Sequence, residues 1–436
     1  MQPSAAGGVS VMCADTGAPD GEVLMRTRHL LRAAAVAAAL APAQILIAPT
    51  AAGAATVPPA APAVTEDSAA YIVGVRGAFT FAEPAGSPIP TAFVYQLNSG
   101  APTRVAAGKR TVRVSIVPTR VTNTLAVWAI EPDGTFTDTT NVFFNAAYPP
   151  PFADQDLTGD GRPDLLTVGP ATGLAPGLWL AAGRATRGGL RTPATNIAPL
   201  PGWTPNFDGA QVISGRFGGT SFNDVLVYYP TGYSAGMAII ATSLDDGGPL
   251  DSTGVTVMPS GTMTDNNGDD PIAVANAYDS AGTNSGYPDL FAIVGDPAYG
   301  YTLDYYPNPG FPGGYFMANP TPLATPDGGA DWNSWRIASK LLPSGTALLL
   351  WNPSTGALYL WESITYDGTT LHYTPYHLAT NWQPAAASLQ LTQEVNANPV
   401  IWTVSATGTA TAYRVTNLSP TGLASLQAQP AQSLLP

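Results

Sequence analysis

The sequence predicts an all-β protein, a small β-sandwich followed by a β-propeller. Three observations carry this. The 45 glycines and 43 prolines are spread through 436 residues, and no window sustains a 3.6-residue apolar period without one of them, which leaves few segments for helix. Short apolar runs alternate with turn-forming residues along the whole chain. From residue 152 the pattern of run, turn and run recurs at an interval in the fifties, about the length of a four-stranded blade.

In chain order, residues 1–24 read as an extension upstream of the natural start, with Met25 as that start. Residues 25–55, "MRTRHLLRAAAVAAALAPAQILIAPTAAGAA", read as a secretory signal. Arg26, Arg28 and Arg32 precede an apolar run, and Ala52-Gly53-Ala54 offers small residues for cleavage. Pro42 and Pro49 interrupt the run, which argues against a membrane anchor. Export and an extracellular location are expected, with no membrane insertion after cleavage. The single cysteine, Cys13, lies upstream of the signal, so the mature chain has neither disulfide nor thiol nucleophile. Removing residues 1–54 leaves the net charge at −13, with 14 basic and 27 acidic residues, 22 of them Asp. An acidic chain whose only lysines are Lys109 and Lys340 is ill suited to nucleic acid or an anionic membrane.

Residues 56–69, including "TVPPAAPAVTEDS", read as a flexible Pro/Ala linker. Residues 70–147 hold five candidate strands, "GAFTFAE", "TAFVYQLN", "TVRVSIVP", "NTLAVWAIEP" and "TNVFFNAA". Leu125, Val127 and Ala129 alternate on one face of the fourth. At this size and spacing the segment resembles an immunoglobulin-like or fibronectin type III-like domain. "YPPP" at 148–151 is a stiff boundary.

Residues 152–436 number 285, five times 57. Five hairpins stack, with turn glycines Gly173, Gly232, Gly300, Gly356 and Gly408 at spacings of 59, 68, 56 and 52. A further strand precedes four of them: "AQVISGRF", "PIAVANAY", "WRIASKL" and "LQLTQEV". "PFADQD" fills the same slot before the first. The last unit shows no clear fourth strand, so the expectation is five blades with "PFADQD" completing the final one. Six fit only if the long third unit hides an extra hairpin.

The loop "DQDLTGDGRPDLLTV" crowds Asp154, Asp156, Asp160 and Asp164 into eleven positions of a sparsely charged chain. From Asp156 it reads Asp-x-Thr-x-Asp-Gly-x-x-Asp and runs into a strand. This resembles the calcium loop of FG-GAP/VCBS repeats, the integrin α-type propeller repeats of secreted bacterial proteins. The resemblance implies Ca2+ held by Asp156, Thr158, Asp160, the Arg162 carbonyl and Asp164. Calcium takes six to eight hard oxygens, which short carboxylates on a tight turn can supply. Thr158 departs from the usual Asn or Asp and is a weaker ligand. The equivalent loops of later units are eroded to Asp224 and Asp289, and "DNNGDD" at 265–270 is off register and reads as a solvated turn.

No nucleophile elbow, phosphate loop or zinc motif is present. His372 and His377 lie five apart in one expected strand and so face opposite sides. Asp224, Asp289, Asp304 and Asp331 are the candidates for a hydrolytic carboxylate pair. Eight of nine tryptophans fall in the repeats. Trp203, Trp332 and Trp382 sit in loop-like contexts and are candidates for stacking on a sugar or anchoring a partner. The expected role is a non-catalytic binding or adhesion protein, calcium-stabilised, recognising a surface glycan or a secreted protein. The alternatives are an extracellular hydrolase and a structural subunit of an extracellular assembly.

Overall fold

The computed structural model describes residues 59–184, 189–198, 207–394 and 398–436, all within one compact unit. The expected extension and signal lie outside the described residues. No described helix is long and apolar enough to cross a membrane.

Seven strands build the sandwich: β1 (Ala63–Glu66), β2 (Gly77–Ala82), β3 (Ala92–Leu97), β4 (Thr103–Ala106), β5 (Thr111–Ile116), β6 (Thr122–Ile130) and β7 (Thr140–Asn145). One sheet has the order β1-β2-β5 and the other β4-β3-β6-β7. Alternation sets the core. Phe79 and Phe81 from β2, Phe93 from β3, and Leu125 and Val127 from β6 are all fully buried. Part of the expected linker is ordered: β1 pairs in register with β2, Ala63 opposite Ala82, and Val64 packs on the core. The Pro/Ala composition signalled flexibility, but a backbone edge on β2 was available for pairing.

Five antiparallel sheets follow. Sheet 1 holds β8 (Leu165–Val168), β9 (Leu178–Ala181) and β10 (Thr195–Asn196). Sheet 2 holds β11 (Gln211–Gly215), β12 (Asp224–Tyr228), β13 (Ala238–Thr242) and β14 (Asp251–Met258). Sheet 3 holds β15 (Ala273–Tyr278), β16 (Asp289–Asp296), β17 (Gly300–Tyr306) and β18 (Asn319–Pro320). Sheet 4 holds β19 (Arg336–Leu342), β20 (Gly345–Asn352), β21 (Ala357–Tyr366) and β22 (Leu371–Ala379). Sheet 5 holds β23 (Ser388–Gln393), β24 (Pro399–Val404), β25 (Thr409–Thr416) and β26 (Ser425–Ala428), with β27 (Gln432–Ser433) also on β25.

Strands β8, β11, β15, β19 and β23 touch in that order, and β23 touches β8. Each neighbouring pair of sheets encloses its own apolar cluster. Val225 faces sheet 1 and Leu226 sheet 3; Phe291 faces sheet 4; Leu349 faces sheet 5; and Trp402 faces sheet 1. Second strands are therefore buried on both faces, which is why "DVLVYY", "DLFAIV" and "ALLLW" read as continuous apolar runs. The five turn glycines all have positive φ, between 71° and 87°.

The seam between the last and first sheets differs from the expectation. Sheet 5 finds its fourth strand in its own sequence, β26. Leu190 N donates to Gln432 Oε1 at 2.8 Å, Ala194 N donates to Leu434 O, and Leu434 is fully buried. "PFADQD" is not a strand of the final sheet. Phe152 stacks on Phe222 of sheet 2, and Asp154-Gln155 turn beneath the ring. Phe222 also belongs to the core of the sandwich.

Candidate functional site: a central channel above an acidic loop

The first strands of sheets 2–5, together with β8, wall a channel of about 590 Å³. This lies within the ~300–1,000 Å³ of ordinary ligand sites. Its floor is Gln155, held at φ 64°, whose Nε2 donates to Leu391 O at 2.9 Å and to Ser339 O at 3.3 Å. Its opposite end lies among Gly209 and Asn333, which precede β11 and β19, and Thr231 and Ser354, in the turns that follow β12 and β20.

Two glutamines seam the wall. Gln211 accepts from Val274 N at 2.9 Å and donates to Ile272 O at 3.2 Å. Gln390 accepts from Leu166 N at 2.9 Å and donates to Asp164 O at 2.7 Å. Each satisfies main-chain groups on the next sheet that no strand reaches. Two polar atoms remain without a hydrogen-bond partner on the floor side, Gln155 Oε1 and Ser339 Oγ, on residues 4% and 8% exposed. Among the described residues, the lining holds Ser, Thr, Asn, Gln and one charge, Arg336, and no carboxylate, imidazole or thiol.

Under the floor, Lys340 Nζ reaches Asp154 O at 2.8 Å and Asp154 Oδ2 at 2.7 Å, and Tyr278 donates to the same carboxylate. Sequence reasoning missed Gln155, Gln211, Gln390 and this ion pair. The signal was present: each interrupts, or is met by, an otherwise apolar inner strand, where a polar group needs a partner.

The chain then enters the acidic loop. Asp156, Asp160 and Asp164 present carboxylate oxygens within 4.8 Å of one another. Asp156 Oδ2 accepts from Gly161 N at 2.7 Å, and Asp156 Oδ1 accepts from Asp160 N at 3.1 Å. Asp164 accepts from Leu157 N and Gly183 N, both at 2.8 Å. Thr158 Oγ1 lies 3.4 Å from both Asp156 and Asp164. Gly159 has φ 69°, and a Cβ there would sit 2.6 Å from Asp245 O. Burial first, then the charges of Asp156 and Asp160, push Asp164 up to about 7. Arg191 pairs with Asp160 at 2.9 Å and Arg162 at 3.5 Å. Arg191 is 59% exposed, and such a pair contributes ~0–1 kcal/mol. It is therefore a weak competitor for a divalent ion, and the donor set fits Ca2+.

The eroded loops keep a structural remnant. Asp224 Oδ2 accepts from Gly218 N at 2.6 Å, and Asp289 accepts from Asn308 N and from the Tyr305 hydroxyl. Asp304 is satisfied by Thr302, and Asp331 caps a surface turn. None of these four lines the channel. Asp265 closes its turn by accepting from Asn267 N and Asp269 N. His372 pairs with Asp367, while His377 stacks on Tyr359.

Trp203 lies outside the described residues. Trp332 is fully buried, donates to Leu323 O and meets Trp361 edge-on. Trp382 is 9% exposed, against Trp351 and Tyr413. Both sit outside the strands, as expected, but their rings fill space between sheets and offer no face for stacking. Turn residues reveal a loop; they do not reveal what packs beneath it.

No protein-family model matches the chain, and no curated protein matches it. Among solved structures, the chain is similar to auxiliary nutrient binding proteins from Bacteroides ovatus and Bacteroides thetaiotaomicron. The first is 8% identical at a TM-score of 0.31, over 81% of this chain and 82% of that one. The second is 10% identical at 0.30, over 83% and 85%. The central fibronectin-III array of RIM-binding protein is 11% identical at 0.17, over 58% and 99%. At these scores the likeness transfers neither fold nor function.

Proposed function

We propose that the chain is a secreted, non-catalytic binding protein. It is a five-bladed β-propeller of FG-GAP/VCBS-like repeats behind a fibronectin type III-like sandwich. A calcium ion buttresses the first blade, and the central channel holds the ligand. The channel carries this reading. Apart from Arg336, the described lining supplies neutral donors and acceptors but no carboxylate, imidazole or thiol. General acid–base and nucleophilic hydrolysis need such groups beside the bond that breaks, so the lining supports holding a polar ligand rather than cleaving it. The closed succession of sheets supports the propeller, and the three-plus-four strand order supports the sandwich. Asp156, Thr158, Asp160, Asp164 and the Arg162 carbonyl would hold the calcium, whose contribution there is to cross-link the loop. The ligand is a surface glycan or a segment of a secreted protein.

Glycan and peptide arrays probed with the mature protein and with Ala387→Trp test the reading. Ala387 lines the channel and is half-buried. Binding by the wild type, lost in the variant at unchanged melting temperature, is expected. Equal binding by both moves the site off the channel. Silent arrays with turnover on a glycoside hydrolase panel favour the hydrolase alternative.

A further inference from the structure

Sheet 1 is one strand short on its channel side. In sheets 2–5 the first strand faces the channel and runs from the open end towards Gln155. Sheet 1 begins instead with β8, which matches the second strands elsewhere, since Asp164 precedes it as Asp224 and Asp289 head β12 and β16. Among the described residues, strand β8 pairs only with β9. Gly169 N bonds Gly177 O, continuing the β9 ladder, while Leu166 N bonds Gln390. By alternation, Asp164, Leu166 and Val168 turn their main-chain groups away from β9.

That inner edge is partly dressed. Asp164 N donates to Gln155 O at 2.8 Å, as the first rung of a ladder would. Gln390 takes the next C=O and N–H. Leu166 C=O and Val168 N–H follow, facing the channel, before Thr172 Oγ1 takes Val168 O at 2.7 Å.

Resting on the channel reading above, we infer that the ligand is the extended end of another protein chain, which adds as the innermost strand of sheet 1, antiparallel to β8. Main-chain groups along a strand edge are matched by another main chain, as in other strand-addition complexes. Neighbouring β11 is five residues long, and five residues span about 17 Å. The walls across the channel from that edge include the small residues Ala273, Ala275 and Ala338. The floor is closed by Gln155, so a chain end enters rather than a through-running segment. Every strand pairing in the five sheets is antiparallel, so the C-terminal end points to the floor. Ser339 Oγ remains there to donate to it. This chain's own C-terminus is already seated through Leu434.

The test is a pentapeptide library displayed with free C-termini, panned on the mature protein. Enrichment of small and β-branched residues is expected, in the manner of "QVISG" and "AVANA". A synthetic hit should lose at least tenfold in affinity when the one amide facing Leu166 O is N-methylated, and little when the others are. Ala387→Trp, which closes the channel, and Val168→Pro, which removes one edge N–H, should each abolish binding. An unenriched library, or an N-methyl scan with no single sensitive position, overturns the strand. A glycan hit blocked by Ala387→Trp overturns the strand but keeps the channel reading. No ligand on any array removes both.

Discussion

Asp160 is the loop carboxylate that answers both to arginines and to the proposed ion. A calcium ion held there would bind the folded loop and not the open chain, so saturation would raise stability; at ten times the dissociation constant the gain would be about 1.4 kcal/mol. Asp160→Ala should erase the difference between melting curves recorded with calcium and with chelator. Wild-type curves that already coincide would reduce the loop to an acidic turn. A second acidic pair behaves differently. Glu83 and Glu131 in the sandwich are 6% and 3% exposed, and none of their carboxylate oxygens has a hydrogen-bond partner. Burial, then the charge of Glu131, pushes Glu83 from 4.5 up to about 7, with Arg110 opposing. A raised carboxyl pKa stabilises the fold below about 4.5, and that contribution is lost as pH rises through about 7. Glu83→Gln keeps the shape without the charge. Its melting temperature should match the wild type near ~pH 5 and exceed it near ~pH 8. A gap independent of pH would show that Glu83 does not titrate in this range.

At the scale of elements, the floor segment 152–157 does the work expected of a strand by other means. Lys340 is 4% exposed and Asp154 15%, and their ion pair ties sheet 4 to the segment that carries Gln155. Removing one partner of a buried pair typically costs ~3–5 kcal/mol, because the other charge is left unmatched. Lys340→Met should therefore lower the unfolding free energy, measured by denaturant titration, by that order, and the double variant with Asp154→Leu should recover part of it. Full additivity of the two losses would mean that the charges do not interact. The strands themselves were legible in the sequence, because second strands such as β12 and β16 are buried on both faces and read as unbroken apolar runs. The sandwich strands were legible from alternation in "NTLAVWAI". The role of "PFADQD" was not, since it depends on Ser339 and Leu391, which lie 184 and 236 residues along the chain from Gln155. The clustering of Asp156, Asp160 and Asp164 was legible because they lie within nine consecutive residues. The channel was not, because no local pattern assembles five distant strands.

At the scale of the molecule, two devices join parts that are far apart in sequence. Phe222 of sheet 2 packs into the sandwich core and stacks on Phe152, so sandwich and ring share apolar contacts. Residues Gln432–Leu434 bind β25 and sheet 1 together. Deleting residues 432–436 should lower stability and open the seam, read as faster amide exchange at Leu190 and Ala194 than at Val225 in sheet 2. Uniform exchange across all three would show that the seam does not depend on the tail.

The seam also sets a schedule. Leu190 waits for Gln432, 242 positions later, and Gln155 waits for Leu391. Loop closure over such separations is slow, and folding slows as contacts become less local. Each sheet can form as the chain emerges, but the seam cannot lock until Gln432 reaches Leu190. A chain threaded through a membrane from its N-terminus would carry its early sheets across before that bolt is thrown, with the inner edge of β8 still waiting for Gln390.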